Sequence, residues 1–313
     1  MHILITGSAG FIASHLVDHV LSLGHSVTGI DNFITGSKKN IEHLKNNPQF
    51  DFINEDILTF DYSIIKESVD IIFHLASPAS PIQYKKHPIE TLQVNSLGTK
   101  QALDFALEKK AVFVYASTSE VYGDPLVHPQ VEWYWGNVNP NGVRSCYDEA
   151  KRFGEAMCMT YVRTKGVDVR IARIFNTYGP RMDVNDGRVI SNFIVQALKN
   201  EPITLYGTGE QTRSFCYVAD LVNGLWALAT KPLKAGEVIN LGNPHEMTIT
   251  EIANKIKLST ESTSPLIKQS IELDDPLKRK PDISKAKELL AWEPNISLEE
   301  GLQKTIEYFK III

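Results

Sequence analysis

The stretch Ile3-Leu4-Ile5-Thr6-Gly7-Ser8-Ala9-Gly10-Phe11-Ile12-Ala13-Ser14-His15 decides the fold, because it places a glycine turn between an apolar run and a helical pattern. Gly7 lets the chain turn tightly, and Gly10 lets the backbone approach a pyrophosphate at the positive end of the helix. Ala13 takes the third small position, where it still permits the helix and the strand to pack closely. Taken alone, this pattern is equally typical of a structural turn.

Short apolar runs go on alternating with helical patterns along the first 175 residues. Such alternation predicts parallel strands joined by crossover helices, which is an α/β, doubly wound parallel-sheet Rossmann domain. The predicted strands are residues 3–6, 26–30, 50–54, 71–74, 112–116 and 168–174, and the predicted helices are residues 11–23, 88–109 and 146–165.

The pattern changes after residue 176, where Gly-rich, charged loops separate shorter elements. This is typical of a smaller α/β substrate lobe built on the sheet. A helical pattern at 221–229 and a strand-like run at 238–241 predict that the chain returns to the first domain. We therefore predict a dinucleotide-binding domain of residues 1–175 and about 212–242, and a substrate-binding lobe of about 176–211 and 243–313.

The composition is that of a globular protein long enough to bury a sizeable core. Of its 313 residues, 32 Lys and Arg against 37 Asp and Glu give a formal net charge of −5. Nucleic acids and acidic membranes select a basic surface, so neither is expected as a partner. Three cysteines without a C-x-x-C pair argue against disulfides and metal, and favour a reducing compartment. Since no apolar run is long enough to span a membrane, we expect a cytoplasmic protein.

Asp31 indicates which dinucleotide binds. It ends the second predicted strand, 18 residues after Ala13. A carboxylate there accepts hydrogen bonds from both ribose hydroxyls and repels a 2′-phosphate, which favours NAD over NADP. The alternative is that Asp31 only caps a turn with Asn32. Asp56, after the third strand, could reach the adenine edge or be a solvated turn carboxylate, and His74 is predicted to be a core histidine.

The catalytic candidates lie near the fifth predicted strand. Tyr147 and Lys151 are spaced i, i+4, so both side chains lie on one helix face. An ammonium beside a phenol lowers the pKa of the phenol, and a bound nicotinamide cation lowers it further, so we expect Tyr147 to be a usable base near neutral pH. Thr118 and Glu120 fall at the end of the strand, the sheet edge at which doubly wound folds bind ligands.

Together these motifs resemble the extended short-chain dehydrogenase/reductase superfamily that acts on nucleotide sugars. Longer stretches are similar to its UDP-glucuronate decarboxylase branch, also called UDP-xylose synthase, and the resemblance runs from residue 3 to about 309. Ala13 departs from the Gly usual in the family. The matching stretches are residues 74–81, 117–124, 172–182, 185–188, 211–213 and 274–282.

The resemblance implies NAD-dependent oxidation at sugar carbon 4, loss of carbon dioxide and re-reduction, with UDP-glucuronate as substrate. It also implies a homodimer packed through helices 88–109 and 146–165. The catalytic residues it implies are Thr118, Glu120, Tyr147, Lys151 and Arg279. The cofactor-binding residues are Gly7, Gly10, Phe11, Ile12, Asp31, Asn32, Thr35, Asp56, Ile57, Leu75, Ser77, Tyr147, Lys151 and Thr177. The substrate-binding residues are Ser119, Asn176, Arg188, Leu205, Tyr206, Arg213 and Arg279.

Three alternatives stay open at this point. A nucleotide-sugar 4,6-dehydratase resembles this chain but carries Asp where Ser119 stands. A 4-epimerase has no use for the pair Glu120 and Arg279. Glu120 could instead be a surface charge at the end of a strand, and Arg279 could be part of a solvated basic run. A non-catalytic dinucleotide sensor would keep the glycine turn and lose Tyr147 and Lys151.

Overall fold

The computed structural model describes residues 1–270 and 278–313, so positions 274–277 of the last matching stretch lie outside the described residues. The strands are β1 (His2–Thr6), β2 (Ser26–Ile30), β3 (Phe50–Ile53), β4 (Ile71–His74), β5 (Val112–Thr118), β6 (Val169–Ile174), β7 (Thr177–Tyr178), β8 (Ile203–Tyr206), β9 (Thr212–Ser214), β10 (Cys216–Tyr217), β11 (Glu237–Leu241), β12 (Glu246–Thr248), β13 (Leu266–Gln269) and β14 (Lys278–Arg279). The helices are α1 (Phe11–Ser22), α2 (Pro81–Lys86), α3 (Pro88–Gln93), α4 (Thr99–Lys109), α5 (Ser145–Lys165), α6 (Val189–Leu198), α7 (Val218–Thr230), α8 (Ile249–Thr260), α9 (Ser284–Leu290) and α10 (Leu298–Ile312).

A seven-stranded sheet forms the centre of the fold, in the order β3-β2-β1-β4-β5-β6-β11. Every neighbouring pair in it is parallel. The prediction of a doubly wound α/β Rossmann fold is therefore confirmed. The strand at 238–241 also joins this sheet as predicted, as β11 beside β6.

Helices cover both faces of the sheet, which is why its strands are apolar runs rather than alternating patterns. Ile3 and Ile5 pack into one core with Leu16 of α1, while Leu4 points to the opposite core with Leu103 of α4. All five side chains are completely buried. Each such burial stabilises the fold by about 1.5–3 kcal/mol relative to an exposed side chain.

His74 ends β4 inside this core. Its ring nitrogens lie 3.0 Å from the Thr6 hydroxyl and 3.2 Å from the Thr99 hydroxyl. Burial, and then the charge of Lys151, lower the pKa of His74 to about 3. The ring is therefore neutral, and the prediction of a core histidine is confirmed.

The single helix predicted over 88–109 is wrong in one detail: α3 and α4 are joined by a π-helical turn, Val94–Gly98. Asn95 sits in this turn, fully buried, and its amide donates to the Thr91 carbonyl at 2.8 Å and the Ser77 hydroxyl at 2.9 Å. Such turns are frequent at functional sites. The departure from regular α-helix places a side-chain amide against Ser77, one of the predicted cofactor residues.

The second part of the chain adds smaller sheets. β12, β9 and β14 form one, β13 pairs with β8, and β10 pairs with β7. Helices α6, α8 and α10 contribute to the larger of the two main cores. The domain boundaries at about 212 and 242 stay a prediction. Among the helices of the described chain, none combines the length and the apolar character that a membrane span requires.

Candidate active site

A cavity of about 890 Å³ opens at the carboxyl ends of four central strands. The residue that follows each of β1, β4, β5 and β6 lines it, namely Gly7, Leu75, Ser119 and Phe175. A smaller cavity of about 80 Å³ adjoins it, since Gly7, Gly10, Thr35, Leu75 and Ser77 line both. The sheet edge expected from the strand order is therefore where this chain has room for ligands.

The glycine turn has the backbone that a bound phosphate group requires. Gly7 has φ +72°, and a Cβ there would lie 2.8 Å from the Cα of Ala76. The Gly10 amide donates to the Gly7 carbonyl at 2.9 Å, and α1 begins at the next residue without a side-chain cap. The first amides of α1 thus face the cavity at the positive end of the helix dipole.

Asp31 lines the smaller cavity and is only 7% exposed. Its carboxylate accepts hydrogen bonds from the Ala9 amide at 2.9 Å and the Phe33 amide at 2.7 Å. Burial raises the pKa of Asp31, while these two bonds oppose the shift. Each carboxylate oxygen keeps further acceptor capacity for ligand hydroxyls. Nearby, the Asn32 amide donates to Asp56 at 3.0 Å.

Every predicted cofactor residue lines one cavity or the other. Gly7, Gly10, Phe11, Ile12, Thr35, Leu75, Ser77, Tyr147, Lys151 and Thr177 line the larger one, and Asp31, Asn32, Asp56 and Ile57 line the smaller one. The glycine turn, the bare helix start and the buried carboxylate fit a dinucleotide with a free ribose diol. The contacts of the individual residues stay predictions.

Tyr147 and Lys151 share one face of α5 and are both buried. The Lys151 ammonium donates to the Ala116 carbonyl at 2.8 Å and lies 5.9 Å from the centre of the Tyr147 ring. Burial raises the pKa of Tyr147, and a hydrogen bond with Thr118 opposes this. Burial also lowers the pKa of Lys151 to about 7. In the protein alone, desolvation of the phenolate dominates the pKa of Tyr147. The expected base near neutral pH, which also depends on a bound nicotinamide cation, stays a prediction.

Tyr84 of α2 is a cavity residue that sequence reasoning missed. Its ring stacks on Tyr147, with centroids 5.0 Å apart and planes 7° apart. Tyr84 is 1% exposed, and its hydroxyl has no hydrogen-bond partner among the described residues. Pro81 and the capping Ser80 mark the start of α2 in the sequence, but they do not indicate which side chain faces Tyr147.

Glu120 and Arg279 form a buried ion pair between the end of β5 and β14. The second Glu120 oxygen accepts a hydrogen bond from Arg144 at 2.7 Å. Burial alone raises the pKa of Glu120, but Arg279 and Arg144 outweigh it and bring that pKa well below its usual range. Arg279 is 3% exposed and donates to the Ser119 hydroxyl at 3.2 Å. Arg279 is therefore not part of a solvated basic run, and Glu120 is not a surface charge.

Asp148 and Arg144 extend this group of charges, and sequence reasoning missed both. The Arg144 Nε lies 4.0 Å from an Asp148 carboxylate oxygen. Burial, followed by the charge of Glu120, raises the pKa of Asp148 well above its usual range. These effects favour the protonated form of Asp148, and the hydrogen bond of Arg144 goes to Glu120. Both residues flank Cys146 and Tyr147 in sequence, and the i, i+4 spacing of their opposite charges is a signal that could have indicated the pair.

The remaining substrate candidates line the large cavity, with one exception. Asn176, Arg188, Tyr206 and Arg213 line it. Leu205 does not, because β8 alternates and places its side chain in the core, 2% exposed. A contact through the Leu205 main chain stays a prediction.

Arg188 and Arg213 are held by different means. Arg188 forms a two-pronged pair with Asp186, in which its Nη2 lies 2.7 Å from one carboxylate oxygen. Arg213 donates to the Thr212 carbonyl at 2.9 Å. Guanidinium groups fixed in this way suit recognition of phosphate oxygens.

Comparison with known proteins agrees with this geometry. Residues 3–242 match the family described as the NAD dependent epimerase/dehydratase family. The chain is 55% identical over 308 residues to UDP-glucuronic acid decarboxylase 1 of Xenopus tropicalis, covering 98% of this chain and 72% of that protein. It is 50% identical over 319 residues to UDP-glucuronic acid decarboxylase 6 of Arabidopsis thaliana, covering 99% and 89%.

A solved structure is similar over its full length. UDP-glucuronic acid 4-epimerase from Bacillus cereus, in complex with UDP-glucuronic acid and NAD, superposes with a TM-score of 0.92 at 33% identity, covering 100% of both chains. The family match covers more than half of this chain, and the decarboxylases share half of its residues or more. The chain belongs to the NAD dependent epimerase/dehydratase family, and its relatives within that family include the UDP-glucuronic acid decarboxylases.

Proposed function

We propose that this protein is an NAD-dependent carboxy-lyase that converts UDP-glucuronate to UDP-xylose and carbon dioxide. The observation that carries this proposal is the buried guanidinium of Arg279, which lines the same cavity as Tyr147 and Lys151. A buried cation that lines the same cavity as the redox pair suits a sugar that bears a carboxylate. The decarboxylases named above support the same reading.

The first half of the reaction is oxidation at sugar carbon 4. Bound NAD would supply the hydride acceptor. Tyr147 takes the proton of the 4-hydroxyl, and Thr118, its hydrogen-bond partner, orients the phenol oxygen. Lys151 is held by the Ala116 carbonyl beside the Tyr147 ring, where its charge favours the phenolate.

The second half is loss of the carboxylate. The 4-ketone lies β to the carbon 5 carboxylate, so breaking the carbon–carbon bond leaves an electron pair that spreads into the ketone oxygen. Hydrogen bonds from Thr118 and Tyr147 stabilise that enolate oxygen. Carbon 5 then takes up one proton, and the ketone is reduced again. Overall, UDP-glucuronate and one proton give UDP-xylose and carbon dioxide.

The state of Glu120 limits its role. Its carboxylate is ionised and paired with two arginines, so it is not a proton donor at neutral pH. We infer that Glu120 anchors Arg279, and that Arg279 holds the substrate carboxylate. Ser119 stands where a 4,6-dehydratase needs an acid, and its hydroxyl accepts a hydrogen bond from Arg279.

A 4-epimerase acting on UDP-glucuronate is the second candidate. It is favoured by the full-length similarity to the Bacillus cereus UDP-glucuronic acid 4-epimerase. That reaction keeps the carboxylate, so the mass of the product separates the two functions.

One incubation tests the proposed function. Protein supplied with NAD and UDP-glucuronate is expected to release carbon dioxide and form UDP-xylose, read by product mass. Tyr147→Phe removes the base and is expected to slow conversion by about 100-fold or more. Because Tyr147→Phe removes only one hydroxyl group, this variant should still bind UDP, and UDP binding serves as the control that it is folded. A product that keeps the mass of the substrate contradicts the decarboxylase reading.

The cofactor preference is the second prediction. NAD is expected to bind more tightly than NADP, because the buried Asp31 accepts ribose hydroxyls and repels a 2′-phosphate. Asp31→Ala is expected to weaken NAD binding by about tenfold and to reduce the difference between the affinities for NAD and NADP. Titration of both dinucleotides measures this. Equal affinities in the unmodified protein would overturn the role given to Asp31.

The third prediction separates oxidation from decarboxylation. Arg279→Ala is expected to slow release of carbon dioxide by about 100-fold while oxidation at carbon 4 continues. Reduced nicotinamide should then accumulate in a single turnover, visible by its near-ultraviolet absorbance. If both signals match those of the unmodified protein, Arg279 has no part in carboxylate chemistry.

We further propose a homodimer that acts in the cytoplasm. Exposed apolar side chains support the dimer: Ile89 of α3 is 60% exposed, Leu97 of the π turn 57% and Phe153 of α5 50%. The free thiols of the three cysteines support a reducing compartment.

Phe153→Glu places a charge within this apolar surface and is expected to give a monomer in sedimentation experiments. Leu258→Glu, on the exposed side of α8, is the matched control and should stay dimeric. A dimeric Phe153→Glu protein would place the interface elsewhere.

A further inference from the structure

Arg144 is a buried arginine that has no role in the proposed reaction steps. It immediately precedes α5, and its carbonyl accepts hydrogen bonds from the Tyr147 amide at 2.9 Å and the Asp148 amide at 3.1 Å. Its backbone is therefore fixed to the same turn as the catalytic tyrosine. Its side chain is 8% exposed and donates to Glu120 at 2.7 Å.

Glu120 thus has two cationic partners, one on each carboxylate oxygen. Arg279 pairs with Oε1, and Arg144 pairs with Oε2. A buried carboxylate that loses its only counterion is strongly destabilising. If Arg279 alone neutralised Glu120, its guanidinium could not turn to a substrate carboxylate without stranding that charge.

We propose that Arg144 is a positioning residue that acts as the permanent counterion of Glu120, so that Arg279 is available to the sugar carboxylate. This rests on the proposed function, in which Arg279 holds that carboxylate. Arg144 itself acts through Glu120.

The charged groups around Asp148 support these separate roles of Arg144 and Arg279. The pKa of Asp148 responds to the charges of Glu120, Arg144, Arg279 and Glu149. Asp148 in turn raises the pKa of Tyr84 in α2. Arg144 lies 2.7 Å from Glu120 but 4.0 Å from Asp148, and burial together with Glu120 favours the protonated form of Asp148. Arg144 and Arg279 are two cations paired with the single carboxylate of Glu120, which is an excess of one positive charge. A single anionic group of a ligand balances that excess.

The test measures preference for a carboxylate in the NAD-bound protein. All variants carry Tyr147→Phe, so that substrate is not consumed, and calorimetry gives the Kd of UDP-glucuronate, UDP-glucose and UDP. UDP-glucose has the same sugar without the carboxylate. The background protein is expected to prefer UDP-glucuronate; if it does not, the proposed function and the role of Arg279 fail, which is a different result from failure of Arg144.

Arg144→Met is expected to reduce the preference for UDP-glucuronate by about tenfold, because Arg279 is then retained by Glu120. UDP should bind within about twofold of its original Kd. Adding Glu120→Gln removes the competing charge and is expected to restore the preference. A purely structural Arg144 would not be rescued in this way.

Arg170→Met is the matched control. Arg170 is also a buried arginine, its side chain 7% exposed and paired with Asp168 at 3.0 Å, and it does not line the cavity. It is expected to leave the preference unchanged. The proposal is overturned if Arg144→Met keeps the preference, or if Glu120→Gln does not restore it. It is equally overturned if the double variant cannot bind UDP, because Arg144 would then be needed by the fold itself.

Discussion

Two arginines that are 135 positions apart in the sequence, Arg144 and Arg279, share the buried carboxylate of Glu120. This shared carboxylate joins three parts of the fold: the end of β5, the start of α5 and the short strand β14. Since buried charges must be matched, the end of the central sheet and the smaller sheet that contains β14 meet at a defined place. The cavity between them carries a positive excess, and an anionic sugar is the ligand that such a cavity suits.

Desolvation also governs the pKa values of the redox pair, Tyr147 and Lys151. Burial raises the pKa of Tyr147 and lowers the pKa of Lys151, so the protein alone keeps the phenol protonated. Any positive charge that enters the cavity favours the phenolate, while a protonated Lys151 contributes the same effect from within. Stacking of Tyr84 against Tyr147 keeps water from one face of the phenol ring.

Much of this arrangement could be predicted from sequence, because parallel strands end at one edge of the sheet. Runs such as 3–6 and 112–116 located the strands, and residues that follow them had to line one cavity. The side-chain partners were not predictable. Arg144 meets Glu120 across 24 positions, and Tyr84 meets Tyr147 across 63, through packing that no local pattern encodes.

Other features that the sequence did not predict have physical causes of the same kind. The π-helical turn at Val94–Gly98 has a sequence pattern typical of an ordinary α-helix. The alternation of side chains along β8 places Leu205 on the face that packs into the core. The pKa of Tyr147 follows from burial, which only the folded chain reveals.

Conversion of UDP-glucuronate in heavy water tests the proposed reaction sequence, because oxidation, decarboxylation and re-reduction each determine the hydrogen isotope at one position of the product. The account predicts UDP-xylose with one deuterium at carbon 5 and none at carbon 4, read by mass and by nuclear magnetic resonance. Carbon 5 takes its new hydrogen from exchangeable protons, whereas the hydrogen removed from carbon 4 returns to carbon 4. Deuterium at carbon 4, or its absence from carbon 5, would contradict the account.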